Sequence, residues 1–269
     1  MIGFIGVGNM AGAIISGVLK KNLYNKNEIL IYDKDSSKYD KFDIAPVQST
    51  KEICEKTDLI FLCVKPQVYN VVLQEISHDV PKEIIAKKTF VSIAAGISTT
   101  HICNMLGVNA AVVRVMPNTP LLIGEGASAL CSNDFVSDEV FTGVCDIFAS
   151  MGATKRLTEN MMNRIIAVNG SSPAYVYLFA KAICDGAKEQ GITDDVLPLV
   201  IKTILGSAKM MEQSNMSPDE LIAMVTSPNG TTLAALQSFE ADDFCGTIKR
   251  AMQKCTDRAE EIAKETERS

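Results

Sequence analysis

From residue 1 to about residue 158, short apolar runs alternate with stretches whose apolar residues recur at helical spacing. Ile2–Val7 predicts a strand, and Met10–Lys21 predicts a helix directly after it. Glu28–Tyr32 predicts a second strand, followed by polar residues and a short helical piece that ends over Ile53–Lys56. Asp58–Val64 is a nearly unbroken apolar run, as a strand buried on both faces requires. Beyond it, Val68, Val71, Val72 and Ile76 share one face of a helix. Thr89–Ile93, Ala110–Val115 and Ala127–Cys131 predict further strands, with helices at Thr99–Leu106 and Asp138–Ser150. Such alternation implies βαβ units and a doubly wound, largely parallel sheet.

The pattern changes near Glu159. Asn163–Asn169, Pro173–Gln190, Asp195–Ser214 and Thr231 to the C-terminus show helical spacing, and strand-like alternation stops. The expected organisation is therefore an α/β domain over residues 1–158 followed by an all-α domain over 159–269. Ala, Met and Leu dominate the apolar positions of the second part, a composition suited to helix–helix packing and an extensive subunit interface.

Composition narrows the function classes. The chain has 269 residues, 47% hydrophobic and 22% charged, with a net charge of −6. Residues 1–158 carry 15 Lys/Arg and 16 Asp/Glu, and residues 159–269 carry 11 and 16, so neither part offers a basic footprint for nucleic acid. The longest stretch free of Asp, Glu, Lys and Arg, Thr89–Val113, holds too many polar groups for a membrane span, so no membrane partner is expected. The N-terminus has neither a basic n-region nor a cleavage-site pattern. Eight cysteines without a Cys-x-x-Cys pair read as small buried hydrophobes in a reducing cytoplasm. With only two histidines, neither at metal spacing, no metal site is expected.

Gly6-Val7-Gly8-Asn9-Met10-Ala11 fits the pattern G-x-G-x-x-G/A, and it lies between a strand and a helix, the context that makes it specific for a dinucleotide. Gly6 allows the tight turn, Gly8 lets backbone approach a pyrophosphate, and the helix N-terminus of Asn9 and Met10 faces the anion. Asp33 ends the second strand, where an acidic residue takes the adenine ribose hydroxyls of NADH, while Lys34 beside it suits the 2′-phosphate of NADPH. With Ser36 and Ser37 as donors and no Arg in the loop, both cofactors are expected to work. Val64-Lys65-Pro66 and Ala94-Ala95-Gly96 follow later strands, Ala95 with a side chain too small to block a ligand. Lys65 is read either as a nicotinamide neighbour or as a plain surface residue. A second loop, Val225 to Thr232, joins Ser227-Pro228-Asn229-Gly230 to Thr231-Thr232 at a helix start, where hydroxyls suit an N-cap and free N–H groups suit a carboxylate.

On these motifs the sequence resembles pyrroline-5-carboxylate reductase over essentially its whole length. The matching segments are Ile5–Met10, Val64–Gln67, Ser92–Gly96, Arg114–Pro120, Gly170–Tyr175, Gly206–Met210 and the loop over 225–232. The family loop reads Ser-Pro-Gly-Gly, and Asn229 replaces its first Gly; Asn tolerates positive φ, so the turn is expected to survive. The resemblance implies reduction of 1-pyrroline-5-carboxylate to L-proline by hydride from NADPH or NADH. It implies that Ser227, Gly230, Thr231 and Thr232 bind the substrate, that the Thr232 hydroxyl serves the ring nitrogen as the catalytic group, and that the chain forms a homodimer or a larger ring of dimers. Two other readings stand beside it. A β-hydroxyacid dehydrogenase would use a Lys with Asn four residues later, where this chain has Lys181 and Asp185. A non-catalytic NAD(P) sensor would not need the carboxylate loop.

Overall fold

The structure, a computed structural model, describes residues 1–268 and forms two compact units. One comprises Met1–Ser171 together with the C-terminal residues from Cys255; the other is Ser172–Lys254.

The first unit is built on a seven-stranded sheet of order β2-β1-β3-β4-β5-β6-β7. Its strands are β1 (Ile2–Ile5), β2 (Ile29–Tyr32), β3 (Leu59–Leu62), β4 (Thr89–Ser92), β5 (Ala111–Met116), β6 (Gly126–Ser132) and β7 (Gly152–Arg156). All neighbours pair in parallel except β5 and β6. The chain leaves β1 for β2 on one side and returns to β3 on the other, which opens a crevice at the carboxyl ends of these strands.

Helices cover both faces, as a parallel sheet requires. Alternate strand residues Phe4, Phe61, Val91 and Val113 pack with α1 (Asn9–Lys20) and α6 (Asp138–Ala149). Ile5, Ile60, Leu62, Phe90 and Val112 face the other way, against α2 (Thr50–Lys56), α3 (Pro66–Asp79), α4 (Lys82–Ile85) and α5 (Thr99–Leu106). Phe4 and Phe61 stack with ring centroids 4.7 Å apart, anchoring the first face. Each such ring contributes about 1.5–3 kcal/mol by leaving water.

The segment after β7 belongs to the sheet unit, so the compact units divide later than the expected 158/159 boundary. Glu159 accepts from the Thr99 N–H at 2.7 Å, the Thr99 hydroxyl at 2.6 Å and Arg114 Nη1 at 3.0 Å. Burial raises the Glu159 pKa, but these donors outweigh it and hold the carboxyl below the usual glutamate range. Asn169 donates to the carbonyls of Met116 at 2.7 Å and Ala127 at 2.8 Å, while Asn118 donates to the Asn169 carbonyl at 3.1 Å. These bonds hold 159–171 against β5 and β6. The helix expected over Asn163–Asn169 is only a short 3₁₀ turn, Ile165–Ala167.

The helical unit carries α7 (Ser172–Glu189), α8 (Leu197–Gln213), α9 (Pro218–Met224), α10 (Thr231–Ala241) and the start of α11 (Phe244–Arg268). The stretch of helical spacing from Thr231 to the C-terminus forms two helices, α10 and α11, parted where Asp243 takes φ 51° and Phe239 meets Phe244 at 5.0 Å. Among α7 to α10, Val200 of α8 is the one buried residue of the described set. Large apolar side chains stay in water, Leu199 71% exposed, Leu178 67% and Tyr177 63%. This unit does not hide its apolar surface within one copy of the chain.

The far part of α11 lies on the sheet unit. A Cβ on Gly96, whose φ is +76°, would stand 3.1 Å from Ala263 N and 3.3 Å from the Ala259 carbonyl. Gly96 therefore admits a helix backbone, a packing reason distinct from the ligand access expected of the small residues at 94–96. Asn70 donates to the Thr266 carbonyl at 3.1 Å and meets His101 Nε2 at 2.7 Å, securing the same helix.

Candidate active site

The turn from β1 into α1 is set by sterics. Gly6 has φ +90°, and a Cβ there would lie 2.8 Å from Val64 Cγ1 and 2.9 Å from the Cys63 carbonyl carbon. No side chain fits and no other residue adopts that backbone cheaply. Gly8, the N-cap of α1, differs: a Cβ on it would meet nothing within 4 Å. Its side-chain position opens to solvent, and no side chain caps the helix. The first N–H groups of α1 are therefore available to an anion approaching over Gly8.

A cleft of about 610 Å³ runs along the carboxyl ends of β1, β2 and β3. Gly6, Gly8, Asn9, Asp33, Lys34, Val64 and Lys65, all expected at a cofactor, line it. Met10, partly buried against the apolar core, Pro66, which opens α3, and the half-buried Ala95 are not among its lining residues. The volume, the exposed Gly8 backbone and the uncapped helix fit a dinucleotide with its pyrophosphate at α1. Val68, Val71 and Val72 of α3 supply an apolar wall.

Asp33 is the polar centre of the cleft, its side chain only 10% exposed. One carboxylate oxygen accepts the Val7 N–H at 2.7 Å, tying the end of β2 to the glycine turn, and the other accepts the Asp35 N–H at 3.0 Å. Lys38 Nζ donates to both oxygens at 2.9 and 3.0 Å. Partial burial raises the Asp33 pKa, but the two backbone N–H groups and Lys38 prevail and hold the carboxyl below its usual range. Tyr39 closes the loop, its hydroxyl donating to the Asp33 carbonyl at 2.5 Å and accepting the Asp33 N–H at 2.8 Å. Lys34 is engaged elsewhere: it pairs with Glu75 at 3.4 Å. Lys38 is thus the lysine at Asp33, a residue that sequence reasoning passed over. Its signal was present, a cation two residues beyond Ser36 in the loop that closes the second strand.

Cys63 also lines the cleft, and burial pushes its thiol up, so it stays protonated. Among the described residues no group of three or more His, Cys, Asp or Glu is placed to hold a metal ion. No helix there is long and apolar enough to cross a membrane.

The second loop lies in the helical unit. Asn229 takes φ 58°, as expected for Asn in the place of glycine, and the Gly230 N–H closes the turn on the Ser227 carbonyl at 3.0 Å. A Cβ on Gly230 would lie 2.4 Å from Ser227 Oγ and 3.0 Å from the Ser227 carbonyl oxygen, so a larger residue would have to push Ser227 aside. Gly230 is itself the N-cap of α10, correcting the expectation of a hydroxyl cap. The Thr231 and Thr232 hydroxyls therefore remain free of capping, and the helix start keeps its N–H groups. Lys181 and Asp185 form an exposed ion pair along α7, a common solvated arrangement four residues apart.

Known proteins match the chain end to end. Residues 159–262 match the family described as pyrroline-5-carboxylate reductase dimerisation, and residues 1–96 match NADP oxidoreductase coenzyme F420-dependent. Pyrroline-5-carboxylate reductase of Escherichia coli is 34% identical over 98% of each chain. The chain belongs to the pyrroline-5-carboxylate reductase family. Among solved structures, the enzyme of Plasmodium falciparum with NADP bound superposes with TM-score 0.86 at 30% identity, covering 97% of both chains. That of Coxiella burnetii superposes with TM-score 0.88 at 30% identity, over 97% of this chain and 98% of the other.

The two glycines of this family member separate fold from binding. Gly6→Ala should destabilise the sheet unit, by at least the roughly 1–2 kcal/mol of a left-handed backbone plus the collision at Val64. Gly8→Val should fold normally but lose dinucleotide affinity by about tenfold or more, the worth of one hydrogen bond to a charged group. Thermal unfolding together with fluorescence titration of the nicotinamide checks both; equal affinity for Gly8→Val and the parent contradicts the cradle.

Proposed function

We propose that this protein is an NAD(P)H-dependent reductase that converts 1-pyrroline-5-carboxylate to L-proline, the last step of proline biosynthesis. The observation that carries the reading is the uncapped start of α10 behind the Ser227–Gly230 turn, an anion-binding backbone in a chain matched end to end by these reductases. The dinucleotide, when bound, supplies the hydride. The protein's own work is positioning, because a protonated cyclic imine is already electrophilic and needs no covalent nucleophile.

Each residue has a role in this reading. Gly6, Gly8, Asn9 and Met10 form the turn and helix start at the pyrophosphate; Asp33 and Lys34 stand at the adenosine end; Val64, Lys65, Pro66 and Ala95 belong to the nicotinamide side. The N–H groups from Gly230 onward, with the Ser227 and Thr231 hydroxyls, take the substrate carboxylate. The Thr232 hydroxyl bonds the ring nitrogen. Hydride adds to the C=N carbon as the electron pair of that bond settles on nitrogen, and the nitrogen's proton is retained in proline.

The exposed apolar faces of α7 and α8 support a homo-oligomer, proposed as a dimer or a ring of dimers. The helical half is read as the dimerisation and substrate-binding domain, and residues up to about 158 as the dinucleotide-binding domain. Free cysteines, with Cys131 pushed up to about 11 by burial, suit a reducing cytoplasm. The acidic balance supports small-molecule rather than nucleic-acid partners.

Thr232→Ala should oxidise NADPH with pyrroline-5-carboxylate about tenfold to a thousandfold more slowly than the parent, with dinucleotide affinity unchanged. An unaltered kcat/KM refutes the role given to Thr232, and a parent without turnover refutes the function. Light scattering at low micromolar concentration should give a multiple of the 29.1 kDa chain mass. A clean monomer refutes the oligomer.

A further inference from the structure

Asp33 is fully engaged. A carboxylate offers about four lone-pair sites. Here Val7 N–H, Asp35 N–H and two contacts from Lys38 occupy them. Two of these donors are backbone and belong to the turn geometry. Lys38 alone can leave without moving the main chain, because its ammonium sits on a flexible stem with the side chain 36% exposed. A ribose hydroxyl that donates to Asp33 must therefore replace Lys38.

The displaced ammonium lies in the same cleft, at the carboxyl end of β2 where the adenosine ribose is bound in sheets of this kind. With a 2′-phosphate it gains an anionic partner in exchange for Asp33, and the phosphate meets a cation where a bare carboxylate would repel it. With a plain ribose it gains only water. Lys34, the cation expected for this task, is 63% exposed and already paired with Glu75, which also accepts the Thr50 hydroxyl at 2.9 Å.

We propose that Lys38 is the cofactor-discriminating residue of this chain: it masks Asp33 and moves to the ribose 2′-phosphate when NADPH binds. Asp33 acts as a positioning residue that keeps its grip on the Val7 N–H throughout. This rests on the reading of the cleft as the dinucleotide site.

The test uses the full-length protein and four probes, NADPH, NADH, 2′,5′-ADP and 5′-AMP, with dissociation constants from calorimetry rather than turnover. Lys38→Met should weaken NADPH and 2′,5′-ADP by about tenfold to a hundredfold, the loss of a charge-assisted bond, and leave NADH and 5′-AMP as tight as in the parent or tighter, since Asp33 is unmasked. Lys38→Arg should keep the parent's ratio, which separates loss of charge from loss of fold. Asp33→Asn retains an acceptor for Val7 and frees Lys38, so the ratio should move toward NADPH. Lys34→Met should weaken NADPH less than Lys38→Met does, because Glu75 already holds the Lys34 ammonium. If Lys38→Met leaves the NADPH/NADH ratio unchanged, or Lys34→Met shifts it instead, the proposal falls while the site stands. If the parent binds none of the four probes, both the proposal and the reading of the cleft fall.

Discussion

The turn after β1 has no room for a side chain, and the nucleotide half of the molecule is organised by that constraint. Gly6 sits at φ +90° against Val64 and the backbone of Cys63, which brings the ends of β1 and β3 together. The next N–H, of Val7, is then directed to Asp33 at the end of β2. Three strand ends are thus joined through one steric requirement and one charge-assisted hydrogen bond. Two residues further on, Gly8 leaves the start of α1 bare. The same few residues that close the turn leave the helix N-terminus free for an anion, so fold and binding arise from one local geometry.

The helical unit follows a different logic. Its helices α7 and α8 are long and amphipathic, yet among α7 to α10 only Val200 is buried, and the apolar faces carry Tyr177, Leu178 and Leu199 in water. A unit of this size with so little interior lacks the usual source of stability, since burial of apolar area is the main favourable contribution to folding. The proposed second copy supplies the missing interior, so on this account assembly and stability of the helical half are inseparable.

Much of the sheet unit was legible because buried parallel strands write unbroken apolar runs, as in Leu59–Leu62, and because the helices between them have one clear apolar face. What escaped is physically distinct. β7, Gly152–Arg156, is a half-exposed edge strand whose polar alternation includes Thr154, Lys155 and Arg156, so it has no apolar signature. α9 is short, but its start was readable: Ser217 and Glu220 form a capping box around Pro218, with Glu220 accepting the Ser217 N–H at 2.7 Å. The break at Asp243 depends on one positive φ, which periodicity does not register. At the site, the glycine turn and Asp33 were legible from spacing, whereas the exchange of Lys34 for Lys38 was not. That choice depends on where Glu75, 41 residues from Lys34 in sequence, is brought by α3.

The central claim is a direct hydride transfer from a dinucleotide in the β1–β3 crevice to a cyclic imine. It is tested by supplying pyrroline-5-carboxylate and NADPH carrying deuterium at the transferable position, then locating the label in the product by mass spectrometry and NMR. The account predicts proline with one deuterium, on the ring carbon bonded to nitrogen and remote from the carboxylate. Proline without label, label at another carbon, or no proline contradicts it.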